Sequence, residues 1–338
     1  MLKFLNPFLI CAALGGAPAY ADAETIDSTA SHTTGDKQFQ PGAVWTDTDG
    51  NVINAHGGGV LYRNKVYYWY GEIRGEKESK GVNVYSSKDL HEWKYEGLAL
   101  ATSQDSTSDI VQGCIIERPK VIYNAKTRKY VMWFHLELKG KGYEAARAAV
   151  AVSDKPTGPF VFQKSFRPNG NMSRDMGLFV DDDQKAYHIY SSRENYDLRI
   201  CELTADYLSP TPKDSLLFSN HREAPALFRR GDQYYLITSG CTGWAPNKAS
   251  IHVARSLFGP WTNTGDPMRG LKSELTFGGQ STYVLPVAGR KDAFIFMADI
   301  WKPSDLKDSR YIWLPIRFEV GQPLIEWRDQ WDLSQMGN

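Results

Sequence analysis

The sequence predicts an all-β fold, a five-bladed β-propeller, from three observations. A strand–turn–strand pattern recurs five times. The copies begin at Val60, Val121, Leu178, Ala226 and Tyr283, 48 to 61 residues apart, a spacing that four-stranded blades with loop insertions require. No long amphipathic helical pattern alternates with the strands, which argues against a β/α barrel. The 338 residues include 10 Trp and 18 Tyr, an aromatic content that favours strands. A double-sheet jelly roll is the rival all-β arrangement.

Each copy pairs an apolar strand with an aromatic-rich one across a polar turn. The first is Val60-Leu61-Tyr62, a turn at Arg63-Asn64-Lys65, then Val66-Tyr67-Tyr68-Trp69-Tyr70. The second runs from Val121-Ile122-Tyr123 to Tyr130-Val131-Met132-Trp133-Phe134, and the third from Leu178-Phe179-Val180 to Ala186-Tyr187-His188-Ile189-Tyr190. The fourth joins Ala226-Leu227-Phe228 to Gln233-Tyr234-Tyr235-Leu236-Ile237, and the fifth Tyr283-Val284-Leu285 to Ala293-Phe294-Ile295-Phe296-Met297. β-branched and aromatic runs around short turns are hairpin signals. Further strand segments follow each hairpin, such as Val82-Asn83-Val84-Tyr85 and Ile251-His252-Val253-Ala254, completing a blade. The propeller is expected to occupy residues 40–338.

The N-terminal region has a different character. Met1 to Ala21 has a secretory-signal pattern: Lys3, an apolar core at Phe8 to Leu14, and an A-x-A cleavage site at Ala19-Tyr20-Ala21. Bulky Ile10 before Cys11 disfavours a lipid-anchor site. Residues 22–39 form a polar leader. The chain is therefore expected to be exported, to the periplasm or the medium, without a membrane span. The 39 basic and 39 acidic side chains cancel, so there is no basic footprint for nucleic acid.

Cys114, Cys201 and Cys241 allow at most one disulfide in a mature chain, and their surroundings suggest small buried residues. Asp181-Asp182-Asp183 lies in a hairpin turn and lacks the rest of a calcium loop, so a solvated turn is expected. His135 and His188 lie within strands and are expected to be packed or hydrogen-bonded. Neither a metal nor another cofactor is expected.

In a propeller, the first strand of each blade lines the central channel, so equivalent positions converge at one mouth. Those positions are His56, Glu117, Asp175, Glu223 and Gln280, each just ahead of an apolar first strand. Arg118, Arg174 and Arg222 neighbour them and can pair with the carboxylates. Three carboxylates crowded together repel one another and raise the pKa of one of them. Glycoside hydrolysis uses such a set: one carboxylic acid protonates the leaving oxygen, and a second group directs water or attacks the sugar. Glu223 with Glu117 or Asp175 nearby fits the acid. Glu72, Tyr143, Thr242, Trp244 and Trp301 lie in or near loops after strands, where aromatic faces and polar tips suit a sugar.

These stretches resemble glycoside hydrolase family 43, and within it the exo-β-1,3-galactanases. The resemblance is carried by Ala55-His56-Gly57-Gly58-Gly59, Glu117-Arg118-Pro119-Lys120-Val121, Ser173-Arg174-Asp175-Met176, Arg222-Glu223-Ala224-Pro225-Ala226, Ser239-Gly240-Cys241-Thr242-Gly243-Trp244, Gly279-Gln280-Ser281-Thr282 and Asp308-Ser309-Arg310-Tyr311. It implies a five-bladed propeller. Typical members carry an Asp general base in blade one, where this chain has Ala55-His56-Gly57; the galactanase branch shares that departure. The resemblance implies Glu223 as general acid, Gln280 at the water-activating position and Glu117 as a tuning or orienting group. It further implies Glu72, Tyr143, Asp175 and Thr242 as galactose contacts; His56, by its place in the ring, and Trp244 and Trp301, by theirs in loops, are further candidates. The expected partner is a polysaccharide or oligosaccharide, acted on by a monomer that releases galactose from β-1,3-galactan with inversion. The alternatives are an α-L-arabinofuranosidase or β-xylosidase on the same scaffold, and a sugar-binding propeller without catalysis.

Overall fold

A computed structural model describes residues 37–76 and 78–336; the expected signal segment and most of the polar leader lie outside them. Each predicted hairpin forms. Blade one is β1 (His56–Arg63), β2 (Val66–Glu72), β3 (Gly81–Ser87) and β4 (Lys94–Ala101). Blade two is β5 (Ile115–Asn124), β6 (Lys129–Glu137), β7 (Arg147–Ser153) and β8 (Val161–Phe166). Blade three is β9 (Met176–Val180), β10 (Ala186–Ser192), β11 (Asp197–Leu203) and β12 (Pro210–Phe218). Blade four is β13 (Arg222–Arg230), β14 (Gln233–Gly240), β15 (Ser250–Ala254) and β16 (Thr262–Gly265). Blade five adds a short strand, β17 (Met268–Arg269), parallel to the outermost of β18 (Gln280–Pro286), β19 (Phe294–Ile300), β20 (Arg310–Glu319) and β21 (Gln322–Glu326).

The four main strands of every blade are antiparallel neighbours in chain order, and the fold is a five-bladed β-propeller. First strands of successive blades touch, and β1 meets β18 to close the ring. The closure is sealed by Phe39, whose N–H donates to the Trp331 carbonyl at 2.7 Å and whose carbonyl accepts from Trp331 at 3.1 Å. Trp69, Trp93, Trp313 and Trp331 are all fully buried there, with Trp69 and Trp313 centroids 5.0 Å apart. The middle strands are buried on both faces because each blade packs between two others; β6 is buried along all but its first residue.

The channel opens at both ends. The end near the hairpin turns is a hollow of about 770 Å³ walled by side chains such as Val60, Val121, Leu178, Leu227 and Val284. It is larger than the opposite mouth but gathers no cluster of carboxylates. The opposite mouth, about 250 Å³, is where the polar ring converges.

Candidate active site

Four of the five ring positions stand beside a shared backbone device. The register of the first hairpin slips between His56 and Gly59, between Glu117 and Lys120, between Glu223 and Ala226, and between Ser281 and Tyr283. Such bulges re-aim a side chain out of the sheet. In three blades the residue after the ring position is left-handed: Gly57 at φ +59°, Arg118 at +56° and Ala224 at +53°. Left-handed backbone is costly for Arg and Ala and clusters where structure serves a site.

Glu223 and Gln280 form the centre. Gln280 Nε2 donates to Glu223 Oε1 at 2.9 Å and to Ser239 Oγ at 3.2 Å. Gln280 Oε1 accepts from the Trp301 indole at 2.8 Å and from the Arg118 guanidinium. The amide is thus held in one orientation, oxygen toward two donors and nitrogen toward the carboxyl. Glu223 Oε2 accepts from Asn195 Nδ2 at 2.9 Å. Burial, reinforced by the Asp175 charge and only partly opposed by Arg118, pushes the Glu223 carboxyl up to about 8. It therefore holds a proton at neutral pH. Arg118 donates through Nε to Asp175 Oδ1 at 3.1 Å, and Asp175 Oδ2 accepts the Ala224 N–H at 3.1 Å, tying blade three to blades two and four.

Glu117 has the opposite environment. Its Oε1 accepts from Arg74 and from the Tyr143 hydroxyl, each at 2.8 Å, and its Oε2 lies 3.1 Å from His135 Nδ1. Burial alone would raise its pKa, but the His135 and Arg74 cations outweigh burial and hold the carboxyl well below the usual range. The mouth thus pairs a protonated carboxylic acid with a carboxylate.

Seven of the ten predicted site residues line this cavity: Glu117, Tyr143, Asp175, Glu223, Trp244, Gln280 and Trp301. Three do not. His56 is fully buried behind the wall, its Nδ1 3.4 Å from Asp299 and its ring stacked on Tyr311 at 4.9 Å. The bulge that turns Glu117 and Glu223 outward is here spent on glycines, so the imidazole stays in the core. Glu72 lies beneath the floor, accepting from Arg74 Nε and from the Arg118 N–H, each at 2.7 Å, so its carboxylate is consumed in holding two arginines. Thr242 spends its hydroxyl inside its own loop, donating to the Ala245 carbonyl at 2.6 Å and accepting from Asn247 at 2.7 Å. That knot presents Gly243 and Trp244 to the cavity instead.

Arg74, His135 and Asn195 line the cavity and were not predicted as site residues. His135 was expected to be packed, and it is buried, but against Glu117. Arg74 lies 5.4 Å from both the Trp244 and Trp301 rings, a cation–π position between two indoles. Asn195 lies in the polar turn Arg193-Glu194-Asn195, a run of left-handed residues. Among the described residues all three cysteines are free; Cys114 and Cys201 are buried, and Cys241 is half-buried. Asp181 is engaged rather than merely solvated, accepting from the Tyr234 hydroxyl at 2.6 Å.

The best metal-ligand geometry is Glu117, His135 and Asp175, with donor atoms within 4.8 Å of one another. Arg74 and Arg118 already face those carboxylates, so a metal cation would be repelled by two guanidinium groups.

Comparison with known proteins decides the family. The sequence pattern of "Glycosyl hydrolases family 43" matches residues 56–298, which contain every ring position. The chain belongs to that family. This family-43 enzyme is a glycoside hydrolase, and solved structures support that assignment along its length. It is 50% identical to a family-43 β-1,3-galactosidase solved with galactodeoxynojirimycin, at a TM-score of 0.86 over 87% of this chain and 100% of that one. It is 38% identical to an exo-β-1,3-galactanase of Phanerochaete chrysosporium solved with β-1,3-galactotriose, at a TM-score of 0.82 over 88% of this chain and 68% of that one. An exo-β-1,3-galactanase of Clostridium thermocellum is 39% identical, at a TM-score of 0.81 over 87% of this chain and 66% of that one. A xylan 1,3-β-xylosidase of Vibrio is 27% identical over 195 residues; the match spans 54% of this chain but about a third, 36%, of the xylosidase.

Proposed function

We propose that this family-43 hydrolase releases galactose from the non-reducing ends of β-1,3-galactan, the backbone of arabinogalactans, with inversion at the anomeric carbon. The observation that carries the reading is the Glu223–Gln280 pair in a cavity of about 250 Å³, small enough to suit one sugar at its inner end. The 38–50% identity to β-1,3-galactosidases and galactanases supports galactose as that sugar. Glu223 donates its proton to the leaving oxygen, which removes the need to expel an alkoxide. An amide is barely basic, so Gln280 acts by placing water once the entering sugar displaces its contact with Glu223, its oxygen still polarised by Arg118 and Trp301. The water oxygen bonds to the anomeric carbon as the glycosidic bond breaks, and its proton leaves to solvent. Glu117 supplies a fixed negative charge near the oxocarbenium-like centre that develops as the bond breaks. Tyr143, Asp175, Trp244 and Trp301 contact the sugar, while Glu72, His56 and Thr242 support the wall.

The chain acts as a monomer in which residues 40–338 form one catalytic propeller, exported after cleavage behind Ala21. Size-exclusion chromatography with light scattering and N-terminal sequencing of the exported protein test these points. A xylosidase or arabinofuranosidase reading has weaker support, because the Vibrio match is lower in identity and partial. The lack of a carboxylate at His56 supports a binding-only propeller, a reading that the proton-holding Glu223 opposes.

The deciding experiment follows hydrolysis of β-1,3-galactan by proton NMR. α-Galactose appearing first is the expected result; β-galactose appearing first would exclude inversion, and no galactose would exclude the substrate. Glu223→Gln is expected to lower the rate by about 10³-fold while sugar binding persists. A near-normal rate in that variant would remove Glu223 from the acid role.

A further inference from the structure

Beneath blade two lies a polar chain that the proposed reaction does not itself require. His135 on β6 stands directly opposite Glu117 on β5 in the hairpin register. Its Nδ1 lies 3.1 Å from Glu117 Oε2, and its Nε2 donates to Glu137 Oε1 at 2.8 Å. Glu137 Oε2 accepts the Ala146 N–H at 2.9 Å. His135 is 1% exposed and Glu137 is fully buried. Positions two apart on a strand share a face, so His135 and Glu137 point together while Phe134 and Leu136 pack on the other side.

The chain closes a loop. The segment between β6 and β7 leaves just after Glu137 and returns at Ala146, whose backbone is left-handed at φ +44°. Between them it carries Tyr143, whose hydroxyl donates to Glu117 and whose carbonyl accepts from Arg174 at 2.8 Å. The Glu137 carboxylate therefore ties the two ends of the segment whose tip holds Glu117. Apolar residues would fill this space at less cost, because a carboxylate withdrawn from water destabilises a fold unless it is paired. A second carboxylate behind the imidazole is explained when something in front of it needs a persistent cation.

We infer that His135 and Glu137 are positioning residues, which hold Glu117 ionised and in place and lock the Tyr143 segment closed at its base. This inference rests on the reading of Glu117 as part of the hydrolytic site. The groups facing His135 are Glu117 from β5, Glu137 from its own strand, the Tyr143 ring at 5.9 Å and Asp175, within 4.8 Å and paired with Arg118, with Arg74 on the far side of Glu117. Burial lowers an imidazole's pKa, but the two carboxylates outweigh burial and push His135 up to about 9. Since the shift is upward, the cation is present at neutral pH and is lost as pH rises through that value.

The test combines imidazole NMR with pH-dependent kinetics on the full-length protein and on Glu137→Gln and Glu137→Asp. In the unsubstituted protein, His135 is expected to be an imidazolium at pH 7; a neutral ring there overturns the inference without any variant. In Glu137→Gln its midpoint should fall by about one pH unit or more, since an opposite charge at this range is removed. On the alkaline side kcat/KM of Glu137→Gln should begin to fall at lower pH, because the cation beside Glu117 is lost sooner, while the acid side, where His135 is protonated in both proteins, stays. KM should rise severalfold and the Ala146 amide should exchange faster. Glu137→Asp should restore part of each change. An unmoved His135 midpoint with an unmoved alkaline limb in Glu137→Gln overturns the inference. If the unsubstituted protein leaves β-1,3-galactan untouched, the functional reading fails, while the NMR midpoint and Ala146 exchange still decide whether the chain exists.

Discussion

The oxygen of Gln280 is fully committed, to Arg118 and to the Trp301 indole. Trp301→Phe keeps the ring and removes one donor, so kcat is expected to fall about tenfold with little change in KM, the loss of roughly one hydrogen bond to a polarised group. Steady-state kinetics on β-1,3-galacto-oligosaccharides checks the split. The raised Glu223 pKa makes a second prediction. Because the acid must carry its proton, kcat/KM should hold below about 8 and fall above it, and a pH–rate profile reads that limb. At this scale the sequence reveals residues that repeat in phase with the blades. Glu117, Glu223 and Gln280 are found because their neighbours recur. Arg74 and Asn195 sit in loops that have no phase, and nothing in their spacing marks them. His135 is legible as buried but not as charged, since an alternating strand pattern gives the face and not the partner across the hairpin.

The bulged first strand is the element that makes a propeller into a site. In blade one it is built from Gly57-Gly58-Gly59, and a side chain at Gly58 would fall 1.8 Å from the Tyr70 carbonyl oxygen of the neighbouring strand. That contact is with backbone, which has no rotamer to yield. Gly58→Ala is expected to destabilise the protein by ~3 kcal/mol, seen as a drop in the urea midpoint at unchanged slope. The five hairpins are readable because aromatic and β-branched runs flank short turns. The slip in register is not, because one extra residue leaves the hydrophobic alternation on either side intact. The same blindness misplaced His56: its position along the strand is equivalent to Glu117 and Glu223, but its side chain is turned inward to Asp299 and Tyr311.

For the molecule as a whole, the largest cluster of buried apolar side chains spans blades four, five and one, where the ring closes. Trp331 is fully buried against Phe39 and donates its indole N–H to the Trp313 carbonyl at 2.8 Å. Trp331→Ala is expected to cost about 3–5 kcal/mol, measured by denaturant unfolding, and to open the ring before it disturbs any single blade. Acid should act through buried neutral histidines. Burial pushes His188 down to about 3 and His252 down to about 4, below their unfolded value near 6.5. Both shifts are downward, so their contribution is complete above pH 6.5 and is lost as pH falls toward 4, where protons bind the unfolded chain first. His188→Phe, which keeps the stack on Tyr190, should flatten the fall in melting temperature over that window.

The pairing of Phe39 with Trp331 puts the two edges of the described chain side by side. A gene rearranged to begin in the turn between Asp181 and Lys185, with residue 38 joined to residue 334 by a short linker, would encode the same wheel with its seam moved. Such a circular permutant should keep Glu117, Glu223 and Gln280 in place, because their meeting depends on which blades are neighbours around the axis and not on which blade is made first.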